Sequence, residues 1–170
     1  MTANAIKEIL ERLENSVAIS QGAVKVIDLK KLQANVHHLA EISALEEGPK
    51  QGVARYLARI TALELGIIPA SIHDLYMARG RGDVKTSFVV PAINLRVLTF
   101  DAARAVFRAI AKLDAGPVIF EIARSEMNYT DQRPAEYATS VFCAAIAEGY
   151  KGPIFMQGDQ LPGICKKISC

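Results

Sequence analysis

The chain has 170 residues, 51% hydrophobic and 22% charged, with a net charge of +2 and a pI near 8.4. That length suits one domain with a real core or a piece of a larger one, and the composition is that of a globular chain rather than a disordered one. The charge is mild and the lysines and arginines are dispersed among acids, so no nucleic-acid partner is expected, and no apolar run approaches the roughly 20 residues that span a bilayer, so no membrane partner is expected either.

Lys7, Glu8, Glu11 and Arg12 interrupt any signal-peptide pattern, which makes the cytoplasm the expected compartment. Ile6, Ile9, Leu10 and Leu13 recur at helical spacing on the face opposite those charges. Gly22 breaks the pattern, and residues 23–28 read as a short extended piece. Leu32, Val36, Leu39 and Ile42 form a second helical stripe, ended by Gly48-Pro49, and residues 53–65 a third, stopped by Gly66. Pro69, Ser71 and Asp74 fit the start of another helix running to Met77. Residues 1–85 therefore read as a helical extension, closed by the loop Arg79-Gly80-Arg81-Gly82-Asp83.

Beyond the loop the period changes. Residues 87–93 are a short apolar, partly β-branched run, and 99–113 an amphipathic helix with Thr99 as its expected cap and Asp101 in its first turn. A second apolar run covers 117–122, a helix with proline near its start covers 134–148, and a third run covers 154–156. Strands alternating with helices of this length predict βαβ units and a parallel sheet. Three such strands are expected here, with an open edge at Ile154-Phe155-Met156.

The predicted strand ends carry Val90-Pro91-Ala92-Ile93-Asn94, then Glu121-Ile122-Ala123-Arg124-Ser125-Glu126, then Gln157-Gly158-Asp159. With Pro69-Ala70-Ser71-Ile72-His73 and the phrase from Tyr129 through Tyr137, they make the chain resemble the class II, zinc-dependent fructose-bisphosphate aldolase superfamily over nearly all of residues 53–159. The likeness is to a bacterial branch with a helical N-terminal extension. Several phrases in the right order are more specific than a lone motif. The resemblance implies the α/β fold of a TIM (β/α)8 barrel, of which residues 86–159 would be the first βα units, about three strands. It implies reversible aldol cleavage of a ketose bisphosphate, fructose or tagatose, with zinc as cofactor of the complete enzyme and homo-oligomers when complete. By the resemblance Asp159 matches the acid/base aspartate at the ketose oxygen, Arg124 and Ser125 fall where substrate phosphate or hydroxyls are contacted, and Asn94 matches a polar group under the mouth of the site.

The family follows that aspartate with a zinc-ligating histidine. Here the residue is Gln160, a poor zinc ligand, so this chain is expected to hold no zinc and to be an inactive fragment. Residues 160–170 read as an aberrant tail that holds two of the three cysteines, Cys165 and Cys170. Gln-Leu-Pro-Gly can be encoded CAA CTT CCA GGN, and loss of the third base restores His-Phe-Gln, the family's continuation, so a one-base insertion after Asp159 is the expected origin of the tail. The alternative is a non-catalytic partner like the accessory subunit of tagatose-bisphosphate aldolase systems.

Other residues have plainer readings. Cys143 reads as a buried small residue. The Arg124-Ser125-Glu126 cluster, taken alone, reads as a solvated loop with a local salt bridge. His37 and His38 are adjacent on a helix and should point about 100° apart, which argues against a shared metal. His73 reads as a helix-surface residue.

Overall fold

The structure is a computed structural model that describes residues 2–85 and 87–159. Helix α1 (Thr2–Arg12) buries Ala5 and Ile9. A hairpin follows, with β1 (Val17–Ser20) antiparallel to β2 (Ala23–Val26). Its two-residue turn, Gln21-Gly22, takes positive φ at both positions (51° and 79°), the geometry that matches strand twist. Asp28 caps α2 (Leu29–Asn35) by accepting from the Lys31 amide at 3.1 Å. After Val36 comes α3 (His37–Leu45), and Pro49 opens α4 (Pro49–Glu64).

The second half alternates strands and helices: β3 (Ile67–Ala70), α5 (His73–Arg81), β4 (Ala92–Asn94), α6 (Thr99–Leu113), β5 (Ile119–Ala123), α7 (Arg124–Thr130), α8 (Pro134–Ala147) and β6 (Gly152–Asp159). The protein is thus α/β, with a four-stranded, all-parallel sheet in the order β3-β6-β5-β4.

Three expectations change here. The segment 1–85 is not purely helical, because it contains the hairpin and also β3. The sheet has four strands rather than three, and its edge is not at Ile154-Phe155-Met156: β3 pairs with β6 through Pro69↔Ile154 and Ala70↔Phe155, leaving β3 and β4 as the edges. Thr99 is also not the cap of α6. The cap position is Leu98, in the left-handed region at φ 49°, while Thr99 is buried and donates to Gln132 Oε1 at 2.9 Å.

Registers fix which residues share a sheet face. Ile67, Phe120, Ile122 and Ile154 lie on one face and join a single core with the helices. Ile119, Ala123 and Phe155 are buried on the opposite face, outside that core. At the centre of the helical layer is α8, buried at Tyr137 and continuously from Thr139 to Ile146. It packs against α6 on one side and α3 and α4 on the other. A helix apolar all round needs cover on every side, and residues 1–85 supply half of it. Cys143 lies in this run, fully buried, and burial pushes its thiol well above the ordinary value, only partly offset by the Ala40 backbone.

Candidate functional site

The carboxyl ends of β4, β5 and β6 come together because the three strands pair in register. Asn94 lies opposite Glu121, Glu121 opposite Gln157, and Ala123 opposite Asp159. Since side chains alternate, Asn94, Glu121, Gln157 and Asp159 all belong to the face turned away from the helices. The Gln157 amide donates to Glu121 Oε2 across the β5–β6 pair. Asp159 is partly exposed, and its carboxylate has no hydrogen-bond or ion-pair partner among the described residues. A shallow cleft of about 470 Å³ lies beside this row, between Ser71 and Ile72 after β3 and Met156 and Gln157 of β6.

Of the four residues singled out from sequence, the structure brings Asn94 and Asp159 to one sheet end and leaves Arg124 and Ser125 exposed at the start of α7, just past β5. Gln160 lies outside the described residues, as does the tail 160–170. The residue that organises this end is Glu126, third in α7 and only 5% exposed. Its Oε2 accepts from the Ala123 amide at 2.9 Å and from Asn94 Nδ2 at 3.0 Å, and its Oε1 accepts from Arg96 Nε at 2.7 Å. The first contact is the reciprocal half of a capping box: the carboxylate reaches back and satisfies the amide of the residue before the helix. The others tie the end of β4 to the start of α7. Far from being a solvated loop residue, Glu126 is the polar centre of the junction, and its cation is Arg96 rather than Arg124.

Burial by itself would push the Glu126 carboxyl up, but the Ala123 amide, Arg96 and Asn94 together outweigh it and hold the group below the ordinary glutamate value. Three donors to one carboxylate are enough to win. A group whose folded pKa is depressed stabilises the fold above its unfolded value and loses that contribution as pH falls through the folded one. Acid unfolding is therefore expected to begin below about pH 4.3, the ordinary glutamate value, and Glu126→Gln should flatten that limb of a stability-against-pH curve measured by urea unfolding. An unchanged acid limb in the variant would assign the dependence to other carboxylates.

Tyr137 of α8 lies behind the same junction. Its hydroxyl is buried near the backbone of Leu95 and Glu121 without a hydrogen bond of ordinary geometry. Burial raises its phenol well above the ordinary value, the backbone of Leu95 offsets part of that, and the Glu126 and Glu121 carboxylates add to it.

The donor set at the strand ends does not fit a histidine-bound zinc. Carboxylates and amides are present, but the one nearby imidazole, His73, is exposed at the start of α5 and belongs to no converging group of metal-capable side chains among the described residues. The signal that could have found Glu126 is its place: a glutamate at the third position of a helix that starts directly on a strand end. Arg96 carried no such signal. It follows β4 in a stretch without periodicity, and only the fold puts it beside α7. No helix among the described residues is long and apolar enough to cross a membrane. Comparison with protein-family models, characterised proteins and solved structures gave no match.

Proposed function

We propose that the chain forms the first part of an aldolase-type (β/α)8 barrel, and that its strand ends make one wall of a sugar-phosphate site. The observation carrying this reading is the row Asn94, Glu121, Gln157 and Asp159, on the sheet face away from the helices, at the carboxyl ends of three consecutive parallel strands. Such barrels place the groups that act on substrate at that end, with helices on the outside of the sheet. The order of β4, β5 and β6 follows the chain as barrel winding requires. β3 departs from it, because it occupies the side of β6 that winding gives to the next strand.

In aldol cleavage a carbon–carbon bond breaks, a hydroxyl loses its proton, and the electron pair stays with the three-carbon fragment as an enediolate. Asp159 is the candidate to take that proton, since proton transfer needs a carboxylate within hydrogen-bond reach of the hydroxyl. Arg124 and Ser125 suit a phosphate group at the exposed end of β5. Glu126 would act by position, holding β4 and α7 in register behind them. The enediolate charge would need a metal ion, for which the described strand ends hold no converging imidazoles, so this chain is assigned substrate contacts and the carboxylate for proton transfer but not the complete reaction.

The reading is tested by two measurements on the 170-residue chain. With added zinc, no cleavage of fructose 1,6-bisphosphate is expected. In a nitrogen-15 NMR titration with dihydroxyacetone phosphate at millimolar concentration, the amides of residues 94–96, 121–126 and 157–159 should shift together. Arg124→Ala with Ser125→Ala should abolish the shifts. Zinc-dependent turnover would overturn the assignment of inactivity, and the absence of any shift at those amides would overturn the site.

A further inference from the structure

His37, His38 and Glu41 lie outside the site described above, on the outer helical layer, and their ligand atoms all fall within 4.8 Å of one another. On an uninterrupted helix the two adjacent histidines would diverge by about 100°. Here the helix is broken at Val36, between α2 and α3, and His37 is the first residue of α3. Both histidines are on α3, yet their rings lie close together, with centroids 4.0 Å apart and planes tilted by 40°. Glu41 then sits four residues after His37 and three after His38, the spacings that share a helix face.

We infer that His37, His38 and Glu41 form a binding site for a divalent transition metal, zinc being the physiological candidate. The ligand chemistry fits: two imidazoles and one carboxylate, with open positions left over, is a donor set that zinc accepts. The distances are close to those required. His38 Nδ1 and Glu41 Oε2 stand 3.0 Å apart, and two ligands at zinc bond lengths and a tetrahedral angle stand roughly 3.3 Å apart. His37 Nδ1 lies 3.0 Å from the Ala34 carbonyl oxygen. A proton on that nitrogen donates to the carbonyl and leaves the Nε2 lone pair free, the orientation metal-ligating histidines usually take. His37 and Glu41 also line a cleft of about 740 Å³ whose far wall includes Asp101, Arg104 and Glu136. The cleft has room for water or a small anionic ligand beside His37 and Glu41. Binding would fix the first turn of α3, a helix that packs against α8.

The test is a titration of the full chain with zinc and, as a spectroscopic stand-in, cobalt. One equivalent should bind, the His37 and His38 ring signals should shift in proton NMR, and the unfolding temperature should rise with free zinc as mass action requires. His37→Ala and His38→Ala should each weaken binding at least 10-fold and abolish the thermal shift, and Glu41→Gln should weaken it less. A Cys165→Ser, Cys170→Ser variant should bind as the parent does. Binding that survives both histidine substitutions, that disappears with the two cysteines, or that is absent at 100 μM zinc would overturn the proposal.

Discussion

Replacing Glu126 with alanine is expected to lower the unfolding free energy by about 2–4 kcal/mol, between the loss of one buried hydrogen bond and that of a fully buried ion pair. The carboxylate serves three donors at once, and its removal strands them unequally. Arg96, 59% exposed along its side chain, turns to water at little cost. Asn94 is half-covered, and the Ala123 amide is buried at a strand end, where no other described acceptor reaches it. Most of the loss should come from that amide, so Arg96→Ala is expected to cost much less than Glu126→Ala, as exposed ion pairs contribute little. Urea unfolding of the two variants checks the ordering. Equal losses would mean that the ion pair, not the backbone cap, holds the junction.

Leu57→Ala should be as damaging, at about 2–5 kcal/mol for a buried leucine truncated in a tight core. Leu57 is 1% exposed on α4, whose inner face packs on α8. Its effect should not stop at α4. The core continues from Leu57 through Val141 and Ile146 to Phe120 and Ile154 in the sheet, so amide exchange should accelerate by a similar factor in α4 and in the strands β5 and β6. Faster exchange confined to residues 1–85, with the sheet untouched, would show that the helical half opens as a unit of its own.

How far the sequence discloses this fold varies with the length of each element. The long helices α1, α4, α6 and α8 were legible because each runs for more than ten residues, with an amphipathic period or with a proline or glycine at an end. The parallel sheet followed from the alternation of those helices with apolar runs. β3 was not legible: four residues with a proline among them fit a helix approach as well as an edge strand, and its only partner lies half the chain away. The hairpin was half visible, since Gly22 marked the turn but Gln21 is not a residue that favours positive φ. At the strand ends, Asn94 and Asp159 were picked out through the resemblance, and the strand registers put both on one sheet face. Glu126 was named, but an acid beside an arginine reads the same in a solvated loop as in a buried junction. Its burial depends on Asn94 and Arg96, roughly thirty residues earlier. For the histidine pair, the rule of about 100° between adjacent helical residues gave no sign that the two rings lie with centroids 4.0 Å apart.

The pairing of β3 with β6 also sets an order of events in folding. Ile67 finds its place opposite Gly152 only after every other element has been synthesised. Until then Ile67, fully buried in the finished fold, has no strand to pair with, although α4 before it already has partners in α1 and α3. Closing so long a loop loses entropy before the contact returns anything, so the more local contacts are expected to be in place first. The β3–β6 ladder should therefore form after the rate-limiting step, so that substitutions at Ile67 accelerate unfolding while leaving the refolding rate nearly unchanged.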